Sequence, residues 1–137
     1  MPLSTTIVPT PLRVRYAETD AAGIAHHSAY VAWLEMGRVE WLRAHGVSYA
    51  ALEREGYHLP VVALDIRYVA PARFDDALLI RTGLADARSR EARFVYEVVT
   101  DAQHPRQLAS GSTRHICLLE GRVVRLPEAI RALVEPS

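Results

Sequence analysis

The sequence predicts an α+β domain in which one curved antiparallel sheet wraps around one long helix. Three observations carry this. The segment from about residue 28 to 44 has helical length and is apolar nearly all the way round. One strand-like stretch precedes it, and four or five strand-like stretches follow it in succession. Half of the 137 residues are apolar, which is enough for a real core in a single domain of this size.

Each element has its own signal. Residues 1–10 carry three Thr, one Ser and two Pro and read as a flexible N-terminal arm, leaving 11–137 as one domain. "LRVRYAE", residues 12–18, alternates as a first strand. "DAAGIAHH" is a loop. The helix then runs from Ser28, a suitable N-cap, to Ala44, with Gly46 just past its end. At 100° per residue, Tyr30, Leu34, Gly37 and Trp41 form one stripe, while Ala32, Met36 and Val39 cover the far side. Only Glu35, Arg38, Glu40 and Arg43 are charged. Such a helix is normally buried on most sides, so something must wrap it.

The wrapping is expected downstream. Residues 47–56 read as a short second helix ending at Gly56. "LPVVALDIRYVA" alternates, with Leu64, Ile66 and Tyr68 on one face. "PARFDD" is a turn, and its Asp75–Asp76 pair reads as turn chemistry. "ALLIRTGLADA", "ARFVYEVVTDA" and "QLASGSTRHICLL" are three further strands. "DAQHPR" closes a hairpin, and "EG" turns the chain into the short strand "RVVRL". "PEAIRALVE" is a terminal helix with Pro127 at its first position. The last strands read as an antiparallel meander, which leaves a face or an edge for a second copy.

Composition excludes several functions. Sixteen basic and sixteen acidic residues cancel, so there is no electrostatic footprint for nucleic acid or an anionic membrane. The lone Cys117 has no disulfide partner and reads as a buried thiol. No signal peptide and no membrane-length apolar run is seen, so a cytoplasmic location is the expectation. His26 and His27 are adjacent, whereas zinc ligands on a helix need a spacing such as i, i+4 and a third partner. No metal and no cofactor is expected.

Two blocks are familiar. "RYAETDAAGIAHHSAYVAWLEMGR", residues 15–38, and "YVAPARFDDALLIRT", with its aromatic and Pro-x-x-x-Asp-Asp turn, resemble the 4-hydroxybenzoyl-CoA thioesterase family of hotdog-fold proteins. The similarity covers about residues 12–130. It extends to the acyl-CoA thioesterase subgroup encoded with cell-envelope Tol–Pal genes. The resemblance implies a hotdog fold, a homodimer or homotetramer with interfacial active sites, and hydrolysis of an acyl-CoA to acid and coenzyme A. It places the catalytic carboxylate on Asp20, the loop glycine on Gly23 and the oxyanion-binding backbone N–H on His27. Many members have an aromatic residue at the position of His26, and some have Pro-Asn at Ser28-Ala29, so pocket shape and substrate do not carry over.

The chemistry fits the residues. A helix start offers unpaired N–H groups and partial positive charge to an oxyanion. Gly23 lets backbone approach the thioester. Asp20 serves as nucleophile or as general base, and both remain open. His26 and Tyr30 are candidate pocket residues. Glu35 is either a second carboxylate for the site or the partner of Arg38 at i,i+3. Arg88, Arg90 and Arg93 are candidate contacts for coenzyme A phosphates. An acyl-carrier-protein thioester is an alternative substrate. A hotdog hydratase or dehydratase and a non-catalytic acyl-CoA or acyl-carrier-protein binding module are the alternative functions.

Overall fold

Two prolines mark where the first strand lies. β1 covers Val8–Arg13 and includes Pro9 and Pro11. It sits at one edge of the main sheet and pairs antiparallel with β4 (Ala77–Arg88), Leu12 facing Leu78. An edge strand tolerates residues that lack an N–H. The strand therefore begins inside the expected arm and ends before Tyr16, instead of covering 12–18. The computed structural model describes residues 6–134, so the first five residues of that arm lie outside the described residues.

A 3-10 turn, Tyr16–Glu18, and a loop lead into α1, His27–Ala44. His26 occupies the N-cap, extended at φ −65° and ψ 152°, and Ser28 lies inside the first turn. The expected cap is displaced because the His26 N–H is bonded to the Glu18 carbonyl at 2.8 Å, which ends the extended segment there. The stripe is as expected: Tyr30, Leu34, Gly37 and Trp41 are buried, with Trp33 and Leu42 beside them. α1 packs on β1, β4 and β5 (Glu91–Thr100). Gly37 makes that contact close. A Cβ there would lie 2.4 Å from Thr82 Oγ1 and 2.9 Å from Ile80 Cγ2. On the other side of α1, Val31, Ala32, Glu35 and Met36 are exposed, so one chain wraps the helix only in part.

α2 is shorter than expected, Tyr49–Arg54, and is capped by Ser48, whose Oγ accepts the Ala51 N–H at 3.2 Å. The main sheet also contains β3 (Val61–Tyr68) and β6 (Gln107–Ile116), in the order β1-β4-β5-β6-β3. It is not a simple meander. β3 lies at the far edge and pairs with β6, Asp65 facing Ser112, while β1 takes the place beside β4. The turn before β4 is tied to the end of β1: Asp75 N–H donates to Val14 O at 2.9 Å, and Val14 N–H to Asp76 O at 3.0 Å. The long last strand also breaks. Cys117 N–H bonds Arg90 O at 3.0 Å, and the chain leaves the sheet. A second sheet, β2-β7-β8, is built from Tyr57–His58, Leu118–Leu119 and Arg122–Val123. Its "EG" turn is as expected, with Glu120 and Gly121 both at positive φ. α3 is Glu128–Arg131, with Pro127 at its cap rather than its first position. Glu135, the last residue of the expected helix, is outside the described residues.

β3 alternates as expected, but its apolar face is not covered by this chain. Leu64 and Tyr68 are 45% and 46% exposed. A groove of about 440 Å³ separates this face from the start of α1, walled by His27, Ser28, Val31, Leu64, Ile66 and Tyr68.

Candidate active site

The loop from Thr19 to His26 is folded back on itself and held from three directions. Asp20 N–H donates to Ile24 O at 2.9 Å and Gly23 N–H to Asp20 O at 3.0 Å. Ala25 N–H bonds Ala72 O, and His26 N–H bonds Glu18 O, each at 2.8 Å. Asp20 Oδ1 accepts the Ala22 N–H at 2.8 Å and the Ile24 N–H at 3.3 Å. The half-buried carboxylate is thus oriented through one oxygen, and the turn does not use Oδ2. Gly23 has φ +80°, a left-handed conformation that disfavours side chains. A Cβ at Gly23 would meet nothing within 4 Å, so within this chain its role is conformational rather than one of close approach.

His26 caps α1, His27 and Tyr30 lie in its first turn, and the Asp20–Gly23 turn belongs to the loop that leads into it. His27 and Ser28 are the first two helical residues, and N–H groups at that position precede the helix's own ladder. The exposed His27 ring lies 4.9 Å from Tyr68 at the edge of the groove. Tyr30 is buried, its ring against Trp33 and Tyr68, and its hydroxyl bonds the Ala72 backbone. Burial raises the Tyr30 phenol above its ordinary value, and the neighbouring Tyr68 raises it further. Tyr30 and the loop therefore share Ala72 as an anchor.

The other candidates lie apart. Glu35 is exposed and 3.8 Å from Arg38, the i,i+3 pair. Arg88 and Arg90 are at the β4–β5 hairpin, where Arg88 Nε bonds Asp86 Oδ1 at 3.0 Å. Arg93 lies on the outer face of the sheet beside Asp65, Arg67 and Ser110.

A buried polar chain escaped sequence reasoning. It runs from Arg38 through Tyr96 and Thr113 to His115, beside a cavity of about 510 Å³ lined by Glu35, Arg38, Leu42, Tyr49, Phe94 and His115. Leu59 O can only accept, so His115 Nδ1 carries the proton donated to it at 2.9 Å. Nε2 then accepts from Thr113 Oγ1 at 2.8 Å, Thr113 accepts from the Tyr96 hydroxyl at 2.6 Å, and Tyr96 accepts from Arg38. Every member has one consistent direction. Burial, opposed by the Leu59 bond and reinforced by the Arg38 charge, lowers His115 to about 4. No signal in the sequence links these four residues, which come from three separate elements.

A long helix cradled by one antiparallel sheet is the hotdog arrangement. Comparison with known proteins makes the class specific. The model of the Thioesterase-like superfamily matches residues 14–134, and the chain belongs to that family. It is 39% identical over 97 residues to the acyl-CoA thioester hydrolase YbgC of Escherichia coli, covering 71% of this chain and 72% of that protein. Among solved structures, a hypothetical protein from Thermus thermophilus is 42% identical with a TM-score of 0.86, covering 91% of this chain and 95% of that one. A 4-hydroxybenzoyl-CoA thioesterase variant complexed with 4-hydroxybenzoyl-CoA has a TM-score of 0.85 at 16% identity, over 96% of this chain and 100% of that one, a likeness of fold. Among the described residues, no helix is long and apolar enough to cross a membrane.

Proposed function

We infer that the chain is an acyl-CoA thioesterase, a thioester hydrolase that releases a carboxylic acid and coenzyme A. The observation that carries this is the Asp20 carboxylate, oriented by two backbone N–H groups in the loop that leads into α1. Family membership supplies the class of reaction, and the residues supply a mechanism. The thioester carbonyl oxygen sits at the His27 N–H, where the helix end stabilises the developing negative charge. One such donor is worth about 3–4 kcal/mol in the transition state.

Asp20 acts through Oδ2 in one of two ways. It attacks the carbonyl carbon, the C–S bond breaks, and the thiolate leaves to take a proton. Water then hydrolyses the mixed anhydride. Alternatively, Asp20 takes a proton from a water that attacks the carbonyl, and collapse of the tetrahedral intermediate expels the thiolate. Both routes need the same carboxylate and the same oxyanion site.

The active unit is a homodimer or a higher oligomer. Edge strand β3 pairs with β6 on one side, and Leu64 and Tyr68 remain uncovered together with Val31 and Met36. An uncovered apolar edge of this kind is relieved by an isologous pair. Arg88 and Arg90, at the β4–β5 hairpin, are the groups for the coenzyme A phosphates in this reading, with Arg93 near the start of β5. The test is release of thiol from a panel of acyl-CoA esters by the wild type and by Asp20→Asn. Turnover by the first and its loss in the second support the reading.

A further inference from the structure

Glu18 is the residue through which the loop and the helix are joined. Its side chain is 10% exposed. Oε1 accepts the Arg15 N–H at 2.8 Å. Oε2 accepts the Trp33 indole Nε1–H at 3.0 Å and Arg15 Nη2–H at 3.3 Å. The Glu18 backbone carbonyl accepts the His26 N–H at 2.8 Å. One residue therefore grips Arg15 just past the end of β1, the second turn of α1 and the cap of α1. Asp20 follows Glu18 by two positions, and His27 follows the N–H that Glu18 binds by one.

The carboxylate suits this place because it is met by three donors, the Arg15 N–H, the Arg15 guanidinium and the Trp33 indole N–H. Burial alone would raise its pKa. The Arg15 backbone, the Trp33 indole and the Arg15 guanidinium together outweigh burial and lower it, so Glu18 stays ionised. Trp33 is itself buried, 1% exposed with its ring 4.6 Å from Tyr30, so the far end of the clamp is packed in the core.

We propose that Glu18 is a positioning residue for thioester hydrolysis, setting the distance between the Asp20 carboxylate and the His27 N–H. This rests on the reading of Asp20 and His27 given above. Two groups that must act on one carbonyl lose rate steeply with misplacement: about 1 Å costs on the order of 100-fold. Ground-state binding of the acyl-CoA does not depend on that distance in the same way.

The test compares Glu18→Gln and Trp33→Phe with the wild type and Asp20→Asn. Glu18→Gln keeps the volume but turns an amide N–H₂ toward a donor. It is expected to lower kcat about 10- to 100-fold, with KM and the Kd of a non-hydrolysable acyl-CoA thioether within about twofold. Trp33→Phe keeps an aromatic ring but removes the indole N–H and one ring of the bicycle, and is expected to lower kcat about three- to tenfold. The double variant should be no slower than Glu18→Gln alone, since both cut one link. Far-ultraviolet circular dichroism and sedimentation check that each variant remains folded and assembled. Full kcat in a folded Glu18→Gln variant overturns the proposal while Asp20→Asn is inactive. A rise in KM and Kd that accounts for the whole loss also overturns it. An active Asp20→Asn variant removes the catalytic reading itself, and the clamp with it.

Discussion

Acid should destabilise this protein through one buried imidazole. His115 is 1% exposed and neutral, with Nδ1–H bonded to Leu59 O and Nε2 bonded to Thr113. Protonation would put a second donor against the Thr113 hydroxyl and a charge near Arg38. Its folded pKa is lowered from 6.5 to about 4. Above pH 6.5 neither the folded nor the unfolded chain protonates this group, so it adds no pH dependence. Between 6.5 and about 4 the unfolded chain binds a proton that the folded chain refuses, and stability falls as pH falls. At about 1.36 kcal/mol per pH unit, that interval is worth about 3 kcal/mol in full, and about 2.5 kcal/mol at pH 4.5. The assay is urea unfolding followed by tryptophan fluorescence at one protein concentration, at pH 7 and pH 4.5, for the wild type and His115→Gln. The variant should be less stable at pH 7 by about 1–3 kcal/mol, because Leu59 O and Thr113 lose a well-placed partner. From pH 7 to 4.5 it should lose about 2 kcal/mol less than the wild type. Equal losses in the two proteins would refute the assignment of a neutral, proton-refusing His115.

Gly37→Ala places a methyl group 2.4 Å from Thr82 Oγ1, so it should destabilise the protein by about 1–3 kcal/mol, seen as a lower thermal midpoint. An unchanged midpoint would show that α1 and β4 are less closely apposed. Arg88→Ala/Arg90→Ala should raise KM for acyl-CoA and spare kcat, because phosphate contacts are alike in the ground and transition states. The same variant should hydrolyse a pantetheine thioester as well as the wild type does, and equal impairment on both substrates would make the arginines structural. Sedimentation at micromolar concentration should show no monomer for the wild type, whereas Leu64→Arg on the uncovered face of β3 should produce one. A wild type that sediments as a 15.3 kDa species contradicts the interfacial reading.

What the sequence disclosed was mostly local. The stripe of Tyr30, Leu34, Gly37 and Trp41 follows from helical period alone, and the turn at Glu120–Gly121 from its dipeptide. That Asp20, Gly23 and His27 belong to the loop and start of α1 was legible because a loop and the helix it feeds are contiguous in the chain, while the roles proposed for them rest on the resemblance. Strand neighbours were not. The alternation of Leu64, Ile66 and Tyr68 reports a shared face, but nothing in it says that β3 pairs with β6 rather than β4. Pro9 and Pro11 looked like an arm because their tolerance depends on an edge that exists only once β4 is in place. For the same reason the Arg38–Tyr96–Thr113–His115 chain was invisible: α1, β5 and β6 must already be packed before its members meet. Glu18 lies within residues 15–38, yet its partner Trp33 is fifteen residues away in sequence, and only the folded loop shows the bond.

In the proposed mechanism the Asp20 carboxylate performs the chemistry at the head of α1. The most direct measurement is the steady-state rate of thiol release by purified Asp20→Asn, at saturating acyl-CoA, beside the wild type. The substitution keeps the volume and removes the charge, and the turn can still be made through Oδ1. A fall in kcat of about two to four orders of magnitude is expected, with an unchanged circular dichroism spectrum and assembly state. A folded Asp20→Asn protein that turns over at the wild-type rate contradicts it.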